Sequence, residues 1–222
     1  MKNTIVTQLD PKSAISEAFR NLRTNVHYTN IDNQVNLLQI TSSVQGEGKS
    51  TITANYGVTL AQSGKKVLIV DCDLRRPQIH KIFNISNTNG LSNVLVGDNK
   101  MDKNIKDTKV PNLFVLTSGP IPPNPSEMLD SKRMRELILS LKDHFDMILL
   151  DSPPIMPVTD GLILSQIVDG TIVIVSLGST ERDALKKTMD SLEKIGANIL
   201  GTVINKASSK AGYYVNYEYE YK

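Results

Sequence analysis

Apolar residues recur along this chain in two rhythms. Short runs rich in β-branched and aliphatic residues, namely VNLLQIT (35–41), KKVLIVD (65–71), LFVLTSG (113–119), DMILLD (146–151), GTIVIVS (170–176) and NILGTVIN (198–205), predict six strands. The second rhythm is helical. It covers Ser13 to Tyr28 (Ile15, Ala18, Phe19, Leu22, Val26), Lys49 to Gln62 with a stop at Gly64, Glu127 to Phe145 (Met128, Met134, Leu137, Ile138, Leu141), and Glu181 to Ile195 (Ala184, Leu185, Met189, Leu192). Ser179 and Thr180 are placed to cap the last of these. Strands alternating with helices predict an α/β fold, with a mostly parallel sheet flanked by helices and ligands beyond the carboxyl ends of its strands. No repeat or inter-domain linker interrupts this order. The one compositional break follows Asn205, where the chain becomes polar and tyrosine-rich.

Composition then excludes several classes of function. A length of 222 residues suits one domain, and 40% hydrophobic with 22% charged residues suits a globular one. A net charge of +2, from 25 basic and 23 acidic residues, supplies no field for nucleic acid or an anionic membrane, so any polyanion is held locally. No nucleic-acid partner is expected. Cys72 is the single cysteine, which excludes a disulfide framework or a cysteine-ligated metal and fits a reducing cytosol. The first residues, MKNTIVTQLDPKS, lack the apolar core of a signal peptide, and no run approaches the ~18 apolar residues of a spanning helix. Attachment to a membrane would have to come from another protein.

Against that background, Ser43-Val44-Gln45-Gly46-Glu47-Gly48-Lys49-Ser50 fits the phosphate-binding pattern GxxxxGK[ST] everywhere but its first position, where serine replaces glycine. It follows a predicted strand and opens a predicted helix, the context in which backbone N–H groups and a helix N-terminus cradle phosphate oxygens. Lys49 is then a point charge for the β/γ-phosphates and the Ser50 hydroxyl a Mg²⁺ ligand. Two other strands end in carboxylates, Asp71-Cys72-Asp73-Leu74-Arg75 and Asp151-Ser152-Pro153-Pro154. If the first strand continues, Asp71 and Asp73 share a side. One such aspartate alone could be a cap or turn residue, but three beside a phosphate loop point to phosphoryl transfer, which needs carboxylates near metal and nucleophile. Cys72 reads as a small buried residue.

These residues together resemble the bacterial tyrosine kinases of capsule and exopolysaccharide assembly. That family carries a Walker A motif, an added Walker A′ motif of apolar residues followed by DxDxR, and a Walker B motif of apolar residues followed by DxxP; here 43–50, LIVDCDLR (68–75) and ILLDSPP (148–154) look like them. Further likeness lies in SGPIPPNPSEML (118–129), in Glu17-x-x-Arg20-x-x-Arg23 and in the terminal tyrosines, and it is greatest to the CapB-like type, a separate cytosolic polypeptide. The resemblance implies a P-loop NTPase fold and ATP with Mg²⁺ as cofactors. It assigns Gly46, Glu47, Gly48, Lys49, Ser50, Thr51 and Asn205 to the nucleotide, the last near adenine, and Ser50, Asp73 and Asp151 to the metal. Lys49, Asp71, Asp73 and Asp151 become the catalytic set, without deciding which A′ aspartate faces the phenol. Arg75 is left to pair with phosphate or with a carboxylate. Glu17, Arg20 and Arg23 lie one helical turn apart, which by itself describes a solvated face. The resemblance makes them a subunit contact of a homo-oligomeric ring. It also implies a membrane-embedded CapA-like activator that recruits the kinase to the inner face of the membrane, and cytosolic protein substrates. The implied organisation is an N-terminal segment with the oligomerisation helix (1–34), a kinase domain (35–206) and a flexible tail (207–222).

Tyr213, Tyr214, Tyr217, Tyr219 and Tyr221 are five of the seven tyrosines of the chain. Alternation of the last three with Glu218 and Glu220 would suit an edge strand. Few aliphatic residues, a preceding Ser/Lys/Gly stretch and a terminal position suit a mobile substrate for autophosphorylation instead. Filling five sites at roughly −1.5 to −2 each would take the net charge from +2 to about −6 to −8. The main rival is a ParA/MinD-like switch ATPase, which carries a second lysine early in its loop (KGGxGK[ST]) where this chain has Val44-Gln45-Gly46. A nitrogenase-type iron protein is weaker still, with one cysteine in this loop. A nucleotide-gated scaffold could coexist with a kinase.

Overall fold

A computed structural model of the chain describes residues 5–29, 35–97 and 101–207. The five terminal tyrosines lie outside the described residues. Along the chain run α1 (Val6–Leu9), α2 (Ala14–Thr29), β1 (Leu37–Ser42), α3 (Lys49–Gln62), β2 (Val67–Asp71), α4 (Ile79–Phe83), α5 (Leu91–Val96), β3 (Ile105–Asp107) and β4 (Leu113–Leu116). Then follow α6 (Pro125–Leu129), α7 (Lys132–Lys142), β5 (Met147–Asp151), α8 (Asp160–Ser165), β6 (Gly170–Ser176), α9 (Arg182–Lys194) and β7 (Ile199–Asn205).

The strands form one sheet in the order β3-β4-β2-β5-β1-β6-β7, and every described pairing except β3 with β4 is parallel. Every residue of β1, β2 and β5 is buried, because helices cover both faces at the centre of the sheet. The period of two survives within these apolar runs. Leu38, Ile40, Val67, Ile69 and Leu149 face one layer with Ile52 and Tyr56 of α3 and Phe19 and Val26 of α2. The alternate residues Leu37, Leu68, Val70, Ile148 and Leu150 face the other, with Met134, Leu137, Ile138 and Leu141 of α7.

Three expectations are corrected. A seventh strand, β3, pairs antiparallel at the edge. Its three residues, half-buried or exposed, carry too little apolar signal to stand out. The helix expected over Glu127 to Phe145 is two helices, since Ser131 adopts an extended conformation and its hydroxyl accepts from the Met134 N–H, starting α7 anew. Thr180 does not cap α9, whose N-cap is Glu181 with no side-chain hydrogen bond.

On α2, Phe19 and Val26 pack inward while Ile15, Glu17 and Ala18 are exposed. Glu17 and Arg20 form a 2.6 Å ion pair, whereas Arg23 donates to the Thr59 carbonyl of α3 at 3.2 Å. Arg23 therefore fastens α2 to its own chain. Among the described residues no helix is long and apolar enough to cross a membrane.

Candidate active site

The carboxyl ends of β1, β2 and β5 meet at one place because these strands are neighbours in register. Asp71 of β2 stands directly opposite Asp151 of β5, and Asp151 lies beside Ile40 of β1. The segments leaving β1 and β5 remain zipped together, with Ile155 N–H donating to the Ser42 carbonyl (2.9 Å) and Met156 N–H to that of Ser43 (3.1 Å).

Between β1 and α3 the phosphate loop takes two left-handed steps, at Gly46 (φ 85°) and Gly48 (φ 98°). Such steps favour glycine, and at Gly48 a Cβ would also overlap the Asn205 amide. Ser43, where the motif departs from glycine, is not among the residues with positive φ, so the serine costs nothing in backbone strain. Lys49, the first residue of α3, is only 7% exposed, and its charge lowers the pKa of Asp151.

The three aspartates are not equivalent. Asp71 has no exposed surface; its Oδ2 accepts the N–H groups of Gln78 (3.2 Å) and Ile79 (3.1 Å), while its Oδ1 is buried without a hydrogen bond. Burial, then the Asp151 and Asp73 charges, push its pKa well above the carboxylate range, against a partial offset from the Ile79 N–H. Asp151 is equally sealed and is pushed up to about 6, chiefly by burial, with Lys49 and the Ser50 hydroxyl holding it down and Asp73 raising it. Asp73 does not continue the strand, which ends at Asp71; it lies in a turn, accepts the Arg76 N–H at 2.9 Å, and is 9% exposed. Cys72 is fully buried; burial and the charges of Asp71, Asp151 and Asp73 push its thiol up, which argues against a thiolate nucleophile.

Do these residues suit a divalent cation? Asp151 Oδ2 is buried with no hydrogen-bond partner, the Ser50 hydroxyl bonds the same carboxylate, and Asp73 is near enough to raise its pKa. These are hard oxygen donors with an excess of negative charge, as Mg²⁺ requires. Among the described residues no three Asp, Glu, His or Cys side chains could hold a metal by themselves. That fits a Mg²⁺ site completed by a hydroxyl and phosphate oxygens.

Three contacts went unforeseen in the sequence. Glu47 is 2% exposed, and its carboxylate accepts the Val44 N–H at 2.9 Å and the Thr180 hydroxyl. Its carbonyl accepts from the Asn205 amide at 2.8 Å. One residue of the loop thus ties together the loop's own start, the β6–α9 connection and the end of β7. Arg75 settles on a carboxylate: its guanidinium forms two bonds to buried Asp160 of α8, at 2.9 and 3.2 Å, and a third to Ser126 of α6 at 3.0 Å. Sequence spacing could not reveal these pairs, which lie 133, 158 and 85 residues apart.

Glu47→Ala leaves the Val44 N–H and the Thr180 hydroxyl without their acceptor, a loss of about 1–3 kcal/mol. We expect a lower melting temperature together with roughly tenfold weaker ATP binding, with Glu47→Gln recovering most of both, in calorimetric titrations run well below the melting range. Unchanged nucleotide affinity in Glu47→Ala would restrict Glu47 to packing.

Residues 35–202 match the AAA domain family. The tyrosine-protein kinase YwqD of Bacillus subtilis is 41% identical over 218 residues, which are 96% of this chain and 92% of that protein. The crystal structure of the chimerical protein CapA2B2 superposes with a TM-score of 0.90 at 39% identity, over 93% of this chain and 91% of that one. The septum site-determining protein MinD of Pyrococcus horikoshii, solved with Mg-ADP, has the same fold at a TM-score of 0.65 and 30% identity, over 76% of this chain and 69% of its own. Likeness to the kinases is higher and runs nearly the full length, whereas likeness to the switch ATPase stops short. With its P-loop, its aspartates at neighbouring strand ends and this degree of identity, the chain belongs to the bacterial tyrosine-protein kinases and is a nucleotide-binding protein-tyrosine kinase.

Proposed function

We propose that the chain transfers phosphate from ATP to Tyr213, Tyr214, Tyr217, Tyr219 and Tyr221, largely from one copy to the next, and so regulates capsular polysaccharide synthesis or export. The observation that carries this is the carboxylate pair Asp71 and Asp73 set beside Asp151 and Lys49, one carboxylate more than a P-loop needs to hold its metal. Lys49, the N–H groups of Gly46 to Thr51 and the Asn205 side chain bind the nucleotide. Ser50, Asp73 and Asp151 would hold Mg²⁺, which when bound offsets charge on the phosphate oxygens. Asp71 receives the phenol proton. An ordinary aspartate, with a pKa near ~3.9, is a poor acceptor for a phenol near ~10; burial and two neighbouring carboxylates narrow that gap at Asp71. Since Asp71 has no exposed surface, acceptor binding must include movement of the turn carrying Asp73. The loose transition state needs little nucleophilic push, so positioning and charge dominate.

The proposed organisation is the N-terminal segment 1–34 with its subunit-contact helix, the kinase domain 35–206 and the substrate tail 207–222. The partner is a membrane protein whose cytosolic end activates the kinase and brings it to the inner face of the membrane. A five-site phosphotyrosine tail of roughly −8 to −10 repels its neighbours, so phosphorylation opens a ring into monomers.

The test supplies ATP and Mg²⁺, with and without cytosolic segments of candidate membrane partners, and maps phosphotyrosine by mass spectrometry. Transfer onto a Lys49→Met chain from an active one is expected, together with a fall in oligomer mass on full phosphorylation. ATP hydrolysis without phosphotyrosine in every condition would favour the switch ATPase, and equal masses would sink the assembly switch.

A further inference from the structure

Two cations at the rim of the site, Arg76 and Lys206, form no ion pair among the described residues. The backbone N–H of Arg76 donates to Asp73 Oδ1 at 2.9 Å, and its guanidinium reaches the Gln45 side-chain oxygen at 2.6 Å. Arg76 therefore spans from the most accessible of the three aspartates to the crest of the phosphate loop. From the opposite side, Lys206 Nζ donates to the Gly46 carbonyl at 2.8 Å. Its backbone takes the left-handed conformation (φ 58°), and its N–H bonds Asn205 Oδ1 at 2.8 Å, which holds the end of β7 against the loop. The two side chains thus converge on consecutive loop residues, Gln45 and Gly46.

Both residues are exposed, and among the described residues neither charged side-chain group forms an ion pair. Arg75, the next residue along, shows what a structural arginine looks like here: it is spent on Asp160 and Ser126. The Arg76 guanidinium and the Lys206 ammonium instead bond only neutral oxygens, so neither charged group is spent on an ion pair at the mouth of the site. An acceptor tyrosine reaching Asp71 past the Asp73 turn would meet Arg76 on that turn, with Lys206 across the phosphate loop from it.

We propose that Arg76 and Lys206 select acceptor tyrosines with acidic neighbours, so that the kinase reads peptides of the form Glu-Tyr-Glu. This deepens the kinase reading above and rests on it. The chain's own end has that chemistry: Tyr219 lies between Glu218 and Glu220, and Tyr217 and Tyr221 each adjoin one glutamate. Long side chains on both rims and the ~8 Å reach of unscreened attraction at physiological salt make fixed pairing unnecessary. Two exposed pairs of this kind together give a preference of roughly two- to thirtyfold, with about five- to tenfold in the middle of that range.

The experiment measures binding, which does not depend on turnover or on an activator. Fluorescein-labelled VNYEYEYK and VNYQYQYK are titrated by anisotropy against the full chain loaded with Mg²⁺ and a non-hydrolysable ATP analogue. The expected result is five- to tenfold tighter binding of the glutamate peptide in 0.15 M salt, with the difference lost in 0.5 M salt and in Arg76→Ala/Lys206→Ala. Arg76→Glu should instead favour VNYKYKYK. Equal affinities in the wild type, or a preference that survives the double substitution, overturn the proposal. So does a matching loss of analogue binding in the double variant, which would assign both cations to the nucleotide. Failure of the kinase reading is seen separately, as no phosphotyrosine on either peptide or on the chain itself.

Discussion

Lys49→Met is expected to leave no more than about a thousandth of the phosphotyrosine formed by the wild type, because a single preorganised charge at a transferring phosphoryl group is worth on the order of 10²–10³ or more in rate. The reason lies in the balance of charge around it. Asp71, Asp73 and Asp151 all act on one another electrostatically, and Lys49 is the chief influence holding Asp151 down. Without it, the polyphosphate meets three carboxylates with the loop's backbone dipoles as its nearest attraction. ATP affinity should fall with the rate, which calorimetric titration and phosphotyrosine mass spectrometry read independently. Methionine nearly matches lysine in volume and removes a charge that is only 7% exposed, so the fold should persist. Phosphorylation above a tenth of the wild-type rate would show that Lys49 is not the residue that neutralises the phosphates.

The sequence made the phosphate loop and the central strands legible for a physical reason. Each is a local pattern: an apolar run closed by a carboxylate, or glycines where the backbone turns left-handed. The helix expected from about Lys49 to Gln62 is α3, delimited by left-handed Gly48 and Gly64 on either side. What stayed hidden was either weak or non-local. β3 has three residues and gains its order by pairing Ile105 with Leu116. The break between α6 and α7 depends on a Ser131 cap inside a continuous apolar rhythm, where periodicity alone argues for one helix. Glu47 read as one of the nucleotide-binding loop residues, and Thr180 as a helix cap. Their contact exists only because β6 lies beside β1, which brings the connection after β6 over the loop. Asp160 gave no signal, since a lone aspartate preceding glycine reads as a turn; its pairing with Arg75 and Ser126 joins the A′ motif, the proline-rich motif and α8. Two motifs that resembled a family pattern separately therefore meet through a residue belonging to neither.

Asp151→Asn should abolish phosphotyrosine and yet make the metal-free protein more stable. The folded-state pKa of Asp151 is raised to about 6 from an ordinary 3.8, so between those values the folded chain holds a proton that the unfolded chain has released. Stability accordingly falls as pH rises from 4 to 6, opposite to a salt-bridged carboxylate, and the full penalty stands above pH 6. A shift of this size corresponds to about 3 kcal/mol at pH 7.5, and Asp71 adds to it in the same direction. Asparagine reproduces the neutral form, so in EDTA at pH 7.5 the variant should melt about 5–10 °C higher, while at pH 4.5 the gain should fall to about a third of that. Mg²⁺ with ATP should raise the melting temperature of the wild type at pH 7.5 and do much less for the variant, because the oxygen that recovers the penalty on binding the cation is gone. A variant that melts lower than the wild type in EDTA at pH 7.5 would mean that Asp151 is held by partners that offset its burial. The strain would then be absent, and with it the reason for a buried carboxylate to await a metal.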